Sequence, residues 1–308
     1  MQITDTILMI RPVNFRMNEQ TAVNNYFQED LDLKNAAINQ KAQEEFDAFV
    51  KVLRDKGINV IVVDDTPEPN TPDSIFPNNW ISFHADGTVA LYPMFAENRR
   101  NERRGDILDI LEEKGFQIEN IVDYTSAEEE EVFLESTGSM ILDRVNEKAY
   151  CALSERASEE LFIEFCEDFE FTPIVFSANQ SVDGKRKPIY HTNVMMCLAE
   201  TFAVICLDAI DDKKEKKNVL NHLKQDGKAV IAINEKQMHH FAGNMIQVIG
   251  ASEERFLIMS SAAYGSLTKD QIDKIEQNCK ILHSNLETIE TCGGGSARCM
   301  MAEVFLPK

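Results

Sequence analysis

The sequence predicts an α/β protein in which one unit, hairpin–helix–strand, occurs five times and closes into a ring. Three observations carry this. Apolar residues alternate between helical and strand periods along the whole chain. Matching polar positions, Asn79, Ser139, Asn193, Asn244 and Arg298, follow one another at steps of 60, 54, 51 and 54 residues, the spacing of an array of like units. The last strand, RCMMAEVFLP, lacks a hairpin partner, and the N-terminal TDTILMIRP can supply one. An ordinary α/β domain with mixed sheets is the plainer alternative, but the ring leaves no segment without a place.

The elements follow in order. A helix is expected over 35–56, where Ile38, Ala42, Phe46, Phe49, Val50 and Leu53 share a face and Gly57 can end it. INVIVVDD reads as a buried strand, and SIFPNNWISFHADGTVALYPM as a hairpin turning at Asp86-Gly87. The order recurs with a helix near 101–114 closed by Gly115, the strand FQIENIVDY and the hairpin GSMILDRVNEKAYCALSE. A third helix near 155–169 leads to TPIVFSA and HTNVMMCLAETFAVICLDA. A fourth, near 212–226, stops at Gly227 before KAVIAINE and GNMIQVIGASEERFLIMS. The fifth starts at Thr268, with Gln271 completing a capping box, and leads to CKILHSN and the final strand. No Gly/Ser/Pro-rich linker divides the chain, so 1–308 is read as a single domain.

Composition narrows the function. The 308 residues are 44% apolar, as in globular proteins generally, and carry a net charge of −21. Nucleic acid and anionic membrane surfaces would repel such a chain, so neither is expected as a partner. The N-terminal MQITDTILMIRPV has no basic leader, and no window reaches the length of a membrane span. Seven cysteines without framework spacing fit a reduced cytoplasm. There is no CxxC and no HExxH, so no metal is expected. Homo-oligomerisation is left open.

In a closed ring, polar residues at the hairpin starts converge on the axis: Asp73, Asn79, Glu135, His191, Asn193 and Cys299. Cys299 follows GGGSAR, at the start of the last strand as read here. Glycines let backbone or substrate approach closely, and Arg298 stands beside the thiol, a setting that suits a nucleophilic thiolate. The commoner fate of a lone cysteine is a core position, and Cys292 is given that role. His191, in IYHTNVMMC, is a candidate proton shuttle, against the alternative of a strand-end histidine bonded to backbone. Glu135, in FLESTGSM, can orient His191 or accept substrate N–H groups; otherwise it is one more acid in an acid-rich chain. Asp73, in PDSIFPNNW, can accept two parallel N–H bonds from a guanidino or ureido group, or cap a turn. Arg99 and Arg156 are candidates to hold a carboxylate bidentately.

Taken together, PDSIFPNNW, ENRRNER, LESTGSM, LSERAS, YHTNVMM and GGGSARCMMAEVF, in that order, resemble the guanidino-group-modifying superfamily of arginine deiminases, dimethylarginine dimethylaminohydrolases and amidinotransferases. The likeness spans nearly the whole chain and is closest to bacterial citrulline-utilisation hydrolases. It implies the pentein fold, a five-bladed α/β propeller with pseudo-fivefold symmetry closed by the N- and C-terminal strands. It implies Cys299 as covalent nucleophile, His191 as general acid/base and Glu135 as the acid opening the family's Glu-Gly-Gly turn, although Ser-Thr-Gly follows it here. It implies Asp73 as the grip on the substrate's terminal nitrogens, Arg156 on the α-carboxylate and Arg99 as a second clamp, with no cofactor. Arginine deiminases carry His-x-Asp where this chain has His191-Thr192-Asn193. An asparagine amide can donate to a carbonyl oxygen, which favours a neutral ureido substrate.

The expected activity is therefore cysteine-dependent hydrolysis of a C–N bond in a small amino-acid substrate, with citrulline giving ornithine, carbon dioxide and ammonia. Arginine deimination and amidino transfer are the enzymatic alternatives. A non-catalytic ring or amino-acid-binding protein is the alternative of a different class.

Overall fold

A computed structural model describes residues 1–308. Strand β1 (Thr6–Arg11) is followed by α1 (Asn35–Arg54), which buries all six residues of its predicted face. Truncating either Phe46 or Phe49, both fully enclosed, should cost ~3–5 kcal/mol. Next, β2 (Asn59–Asp64) pairs parallel with β1, Ile7 opposite Val60. Strands β3 (Ile81–Phe83) and β4 (Thr88–Leu91) form an antiparallel hairpin. Helix α2 (Asp106–Glu113) returns the chain to β5 (Asn120–Asp123), parallel to β4. The one-turn helix α3 (Ser136–Ser139) opens the hairpin of β6 (Met140–Asp143) and β7 (Lys148–Leu153). Helix α4 (Glu159–Asp168) and β8 (Thr172–Ser177) complete that unit.

A small separate hairpin, β9 (Asn179–Val182) with β10 (Lys185–Pro188), comes next. Then α5 (Thr192–Met195), β11 (Met196–Leu198), β12 (Phe202–Cys206), α6 (Lys213–Gln225) and β13 (Ala229–Ile233) repeat the pattern. Helix α7 (Glu235–Met238), β14 (Ile246–Ile249), β15 (Arg255–Ser260), α8 (Ser261–Ser266), α9 (Lys269–Glu276) and β16 (Lys280–Ser284) do so again. Finally α10 (Glu287–Gly293) leads to β17 (Ala302–Glu303), antiparallel to β1 with Ala302 opposite Leu8.

The result is five separate three-stranded sheets, each an antiparallel pair with a parallel third strand, and none closes on itself. The sheet β17–β1–β2 ties the chain's last strand to its first. The predicted capping box at α9 is present: the Thr268 hydroxyl accepts from the Gln271 N–H at 3.3 Å, and the Gln271 side-chain oxygen accepts from the Thr268 N–H at 2.8 Å. No helix is long and apolar enough to cross a membrane.

Three details differ from the expectation. The helix near 101–114 begins at Asp106, after a 3-10 turn at Glu97–Glu102. The β9–β10 hairpin was not anticipated, because its strands are polar and show no apolar alternation. Cys299 does not open a strand: it lies in a turn, three residues before β17.

Candidate active site

Short helical turns, rather than the strands they precede, carry the polar residues of successive units. Asn79 ends the 3-10 turn Pro77–Asn79; α3 follows Glu135; α5 follows His191 and contains Asn193. These turns are stitched from unit to unit. Asn78 Nδ2 donates to Thr137 Oγ1 at 3.3 Å, the Thr192 hydroxyl donates to the Ser139 carbonyl, and Asn244 Nδ2 donates to the Asn193 carbonyl at 3.0 Å. The Arg298 N–H donates to Asn244 Oδ1 at 3.0 Å. Gly138 and Gly243 allow the closest approaches: a Cβ at 138 would stand 2.3 Å from Asn79 Nδ2 and 2.9 Å from His191 Nδ1, and one at 243 would stand 2.3 Å from the Val194 carbonyl oxygen.

Asp73, Asn79, Arg99, Arg156, His191 and Cys299 line one small cavity. Glu135 and Asn193 reach the same place through His191 and the sulfur. All eight residues singled out in the sequence are thus brought together, and all are buried.

Glu135 Oε2 lies 2.6 Å from His191 Nε2, and its Oε1 accepts from the Phe95 N–H at 3.0 Å. Arg156 Nη1 stands 3.6 Å and Arg99 Nη1 4.0 Å from the same Oε2. Burial pushes the Glu135 carboxyl up, but Arg156, His191 and Arg99 outweigh it and bring it down to about 2. Burial, helped by the two arginines, holds His191 below its ordinary value in spite of Glu135, so the resting imidazole is neutral.

Arg99 grips Glu102 with two bonds of 2.9 Å and gives a third, also 2.9 Å, to Asn79 Oδ1. Burial pushes Glu102 up, against Arg99, to about 8. Asp73 Oδ2 accepts from Asn18 Nδ2 at 2.7 Å and from the Thr21 hydroxyl at 3.2 Å, and Arg99 Nε stands 3.9 Å away. Its other oxygen, Oδ1, is buried with no partner. Burial raises this carboxyl despite Arg99. Arg156 donates through Nε to Asn24 Oδ1 at 3.0 Å and through Nη2 to the Thr21 carbonyl at 2.9 Å. Its guanidinium lies over the Tyr190 ring, 4.9 Å from the centroid.

The sulfur of Cys299 receives two amide groups, Asn244 Nδ2 at 3.2 Å and Asn193 Nδ2 at 3.4 Å, and the thiol has Asn193 Oδ1 as a longer acceptor at 3.8 Å. Arg298, expected beside the thiol, turns away: Nη2 meets Glu303 Oε2 at 2.6 Å and Nη1 the Met301 carbonyl at 2.7 Å. The glycines before the thiol pass over Phe76, whose ring atoms would stand 2.8 Å from a Cβ at 293 and 2.9 Å from one at 295, and Gly294 has φ +60°. Burial pushes up the thiols of Cys151, Cys166, Cys197, Cys206, Cys279 and Cys292, as suits small core side chains.

Sequence reasoning missed the segment 18–28, which covers the cavity. Besides the contacts of Asn18, Thr21 and Asn24, Asn25 Nδ2 donates to the Gly293 and Gly294 carbonyls at 3.4 and 3.3 Å. Its one visible signal was a density of amides, Asn18, Gln20, Asn24, Asn25 and Gln28, without any period. In the sequence Asn244 is a repeat position only, and nothing there signals its contact with the sulfur.

The family model described as N,N dimethylarginine dimethylhydrolase, eukaryotic, matches residues 11–306. The chain belongs to this family. It is an enzyme of the guanidino-group-modifying superfamily. Among curated proteins, none matches it. Of solved structures, apo ArgZ, an arginine dihydrolase from the ornithine–ammonia cycle in cyanobacteria, superposes with TM-score 0.75 at 17% identity, over 98% of this chain and 41% of that one. This family member therefore spans less than half of full-length ArgZ. An Asn-to-Ser variant of the ArgZ N-terminal domain, covalently bound to a reaction intermediate, superposes with TM-score 0.71 at 17% identity over 98% and 99% of the two chains. A dimethylarginine dimethylaminohydrolase in which glycine replaces a histidine, as its adduct with S-methyl-L-thiocitrulline, gives 0.63 at 13% identity over 98% and 99%. At these identities the likeness is one of fold.

Proposed function

We propose that this protein is a cysteine-dependent hydrolase of a ureido amino acid, citrulline, releasing ornithine, carbon dioxide and ammonia. The five sheets are read as the blades of a five-bladed propeller closed by β1 and β17, with the reaction at its axis. The observation that carries the substrate choice is the pair of asparagine amides on the Cys299 sulfur, in a cavity where Asp73 Oδ1 has no partner. A guanidinium offers only donors, so it cannot satisfy amide N–H groups beside the nucleophile. A ureido group offers donors to Asp73 and a carbonyl oxygen to the amides. Negative charge developing on that oxygen would meet the same amides.

In this reading the thiol gives its proton to His191 and attacks the ureido carbon. The imidazolium, held by Glu135, returns the proton to the leaving nitrogen, and ornithine departs. Water, deprotonated by His191, then cleaves the carbamoyl thioester; the thiol is restored, and the carbamic acid released falls apart to carbon dioxide and ammonia. Arg156, whose Nη1 makes no hydrogen bond but stands 3.6 Å from Glu135 Oε2, is assigned the α-carboxylate. Arg99 is assigned to holding the acids Glu102 and Asp73 in place, and Asn79 to orienting Arg99.

Purified protein supplied with citrulline, arginine or N,N-dimethylarginine decides the matter. Ornithine and ammonia in equal amounts from citrulline, with Cys299→Ser inactive by at least ~10³-fold, are expected. Turnover of a guanidino substrate in preference to citrulline would refute the substrate, and full activity of Cys299→Ser would refute the nucleophile.

A further inference from the structure

We infer that the protein has a second small-molecule site, which binds a small oxyanion of the carboxylate or phosphate class at Arg144. A second, small cavity shares no lining residue with the catalytic one. Its walls come largely from the first strands of several sheets and mix apolar side chains with Gln2, Thr137, Arg144, Arg298 and Glu303. Two guanidiniums thus meet one carboxylate, inside a chain of net charge −21.

The carboxylate belongs to Arg298, which it meets at 2.6 Å. Arg144 makes no ion pair. Its guanidinium lies 4.1 Å from the centroid of the Phe305 ring and has a single long contact, 3.4 Å, with His84 Nδ1. His84 supplies no charge, because burial holds it neutral. Arg144 is half-buried, so it loses part of its hydration with no ion pair to offset the loss. The fork of unused N–H groups on Arg144 matches two oxygens of one anion. Access exists as well: Arg144, His84 and Phe305 also border an open groove. The Thr137 hydroxyl and Gln2 amide, though on the cavity wall, donate to carbonyls of Asn78 and Leu142 and leave the anion to the arginine.

The test titrates the full chain with sodium formate and, separately, sodium phosphate, at ionic strength fixed with sodium chloride, and follows Tm. Wild type should show a saturable rise with at least one of the two anions, which identifies the preferred oxyanion. The rise should persist in Arg156→Met, which removes the catalytic-site guanidinium, and the midpoint should move up at least tenfold in Arg144→Met. Arg144→Lys keeps the charge but not the fork, and should be intermediate; it decides the matter if Arg144→Met does not fold. No saturable rise with either anion, an unchanged midpoint in the Arg144 variants, or loss of the rise in Arg156→Met alone would overturn the assignment.

Discussion

Replacing Asn193 by aspartate changes one atom's chemistry at the centre of the proposed mechanism. The amide nitrogen lies 3.4 Å from the sulfur. A carboxylate oxygen there loses the donor and places a negative charge beside the thiolate. At an effective dielectric of about 20, two unit charges at this distance repel by roughly 5 kcal/mol. Each ~1.4 kcal/mol is a factor of ten in the reactive form, so repulsion of even half that size removes close to two decades. Citrulline turnover should fall at least ~10²-fold at neutral pH, whereas Asn193→Ala, which loses only the donor, should fall ~10-fold. The assay pairs ornithine release with the pH dependence of iodoacetamide labelling at Cys299. In Asn193→Asp the labelling profile should shift to higher pH; in Asn193→Ala it should shift much less. Unchanged kcat and labelling in Asn193→Asp, or equal losses in both variants, would refute the view that the amide faces a developing anion.

Other perturbations test the surrounding acids and the close packing of units. Glu135 is depressed to about 2 in the folded protein, so its contribution to stability is present above its ordinary range near 4.5 and is lost as pH falls towards 2. Glu135→Gln should therefore lower Tm at pH 7, and the gap from wild type should narrow between about pH 4.5 and 2; a gap independent of pH would contradict the ionised assignment. Arg99→Met removes the donors to Glu102 and the cation beside Asp73 and should cost about 1–3 kcal/mol by urea unfolding, while Arg99→Met with Glu102→Met should recover part of it. If Arg99→Met instead raised KM with stability intact, the arginine would be a substrate clamp. Gly138→Ala forces a methyl against Asn79 and His191, and should reduce kcat by ~10²-fold or more through displacement of the imidazole; wild-type kcat would show that the turn yields freely.

How much of this was legible before the structure depends on what each feature leaves in the sequence. Burial writes a period, so α1 and the hairpin strands are legible from their apolar spacing, whereas α9 is legible from its capping box. The partnership of β17 with β1 followed from a strand left over at one end and a strand free at the other. Hydrogen bonding writes no period. The β9–β10 hairpin rests on backbone pairing between polar strands, and only Asp183-Gly184, with φ of +50° and +74°, marked its turn. The covering segment 18–28 is held by amides donating to Asp73 and to glycine carbonyls, and those partners lie 55 and about 268 residues away. The same reason explains Arg298. Adjacency in the chain suggested a cation beside the thiol, but the side chain finds Glu303 five residues on, and the sulfur is left to two neutral amides from other units. The sulfur thus sits among donors that stabilise an anion without supplying a net charge. A neutral substrate bearing an oxygen is better matched to that environment than a cation, and it was the aspartate-to-asparagine difference at position 193, legible in the sequence, that pointed there first.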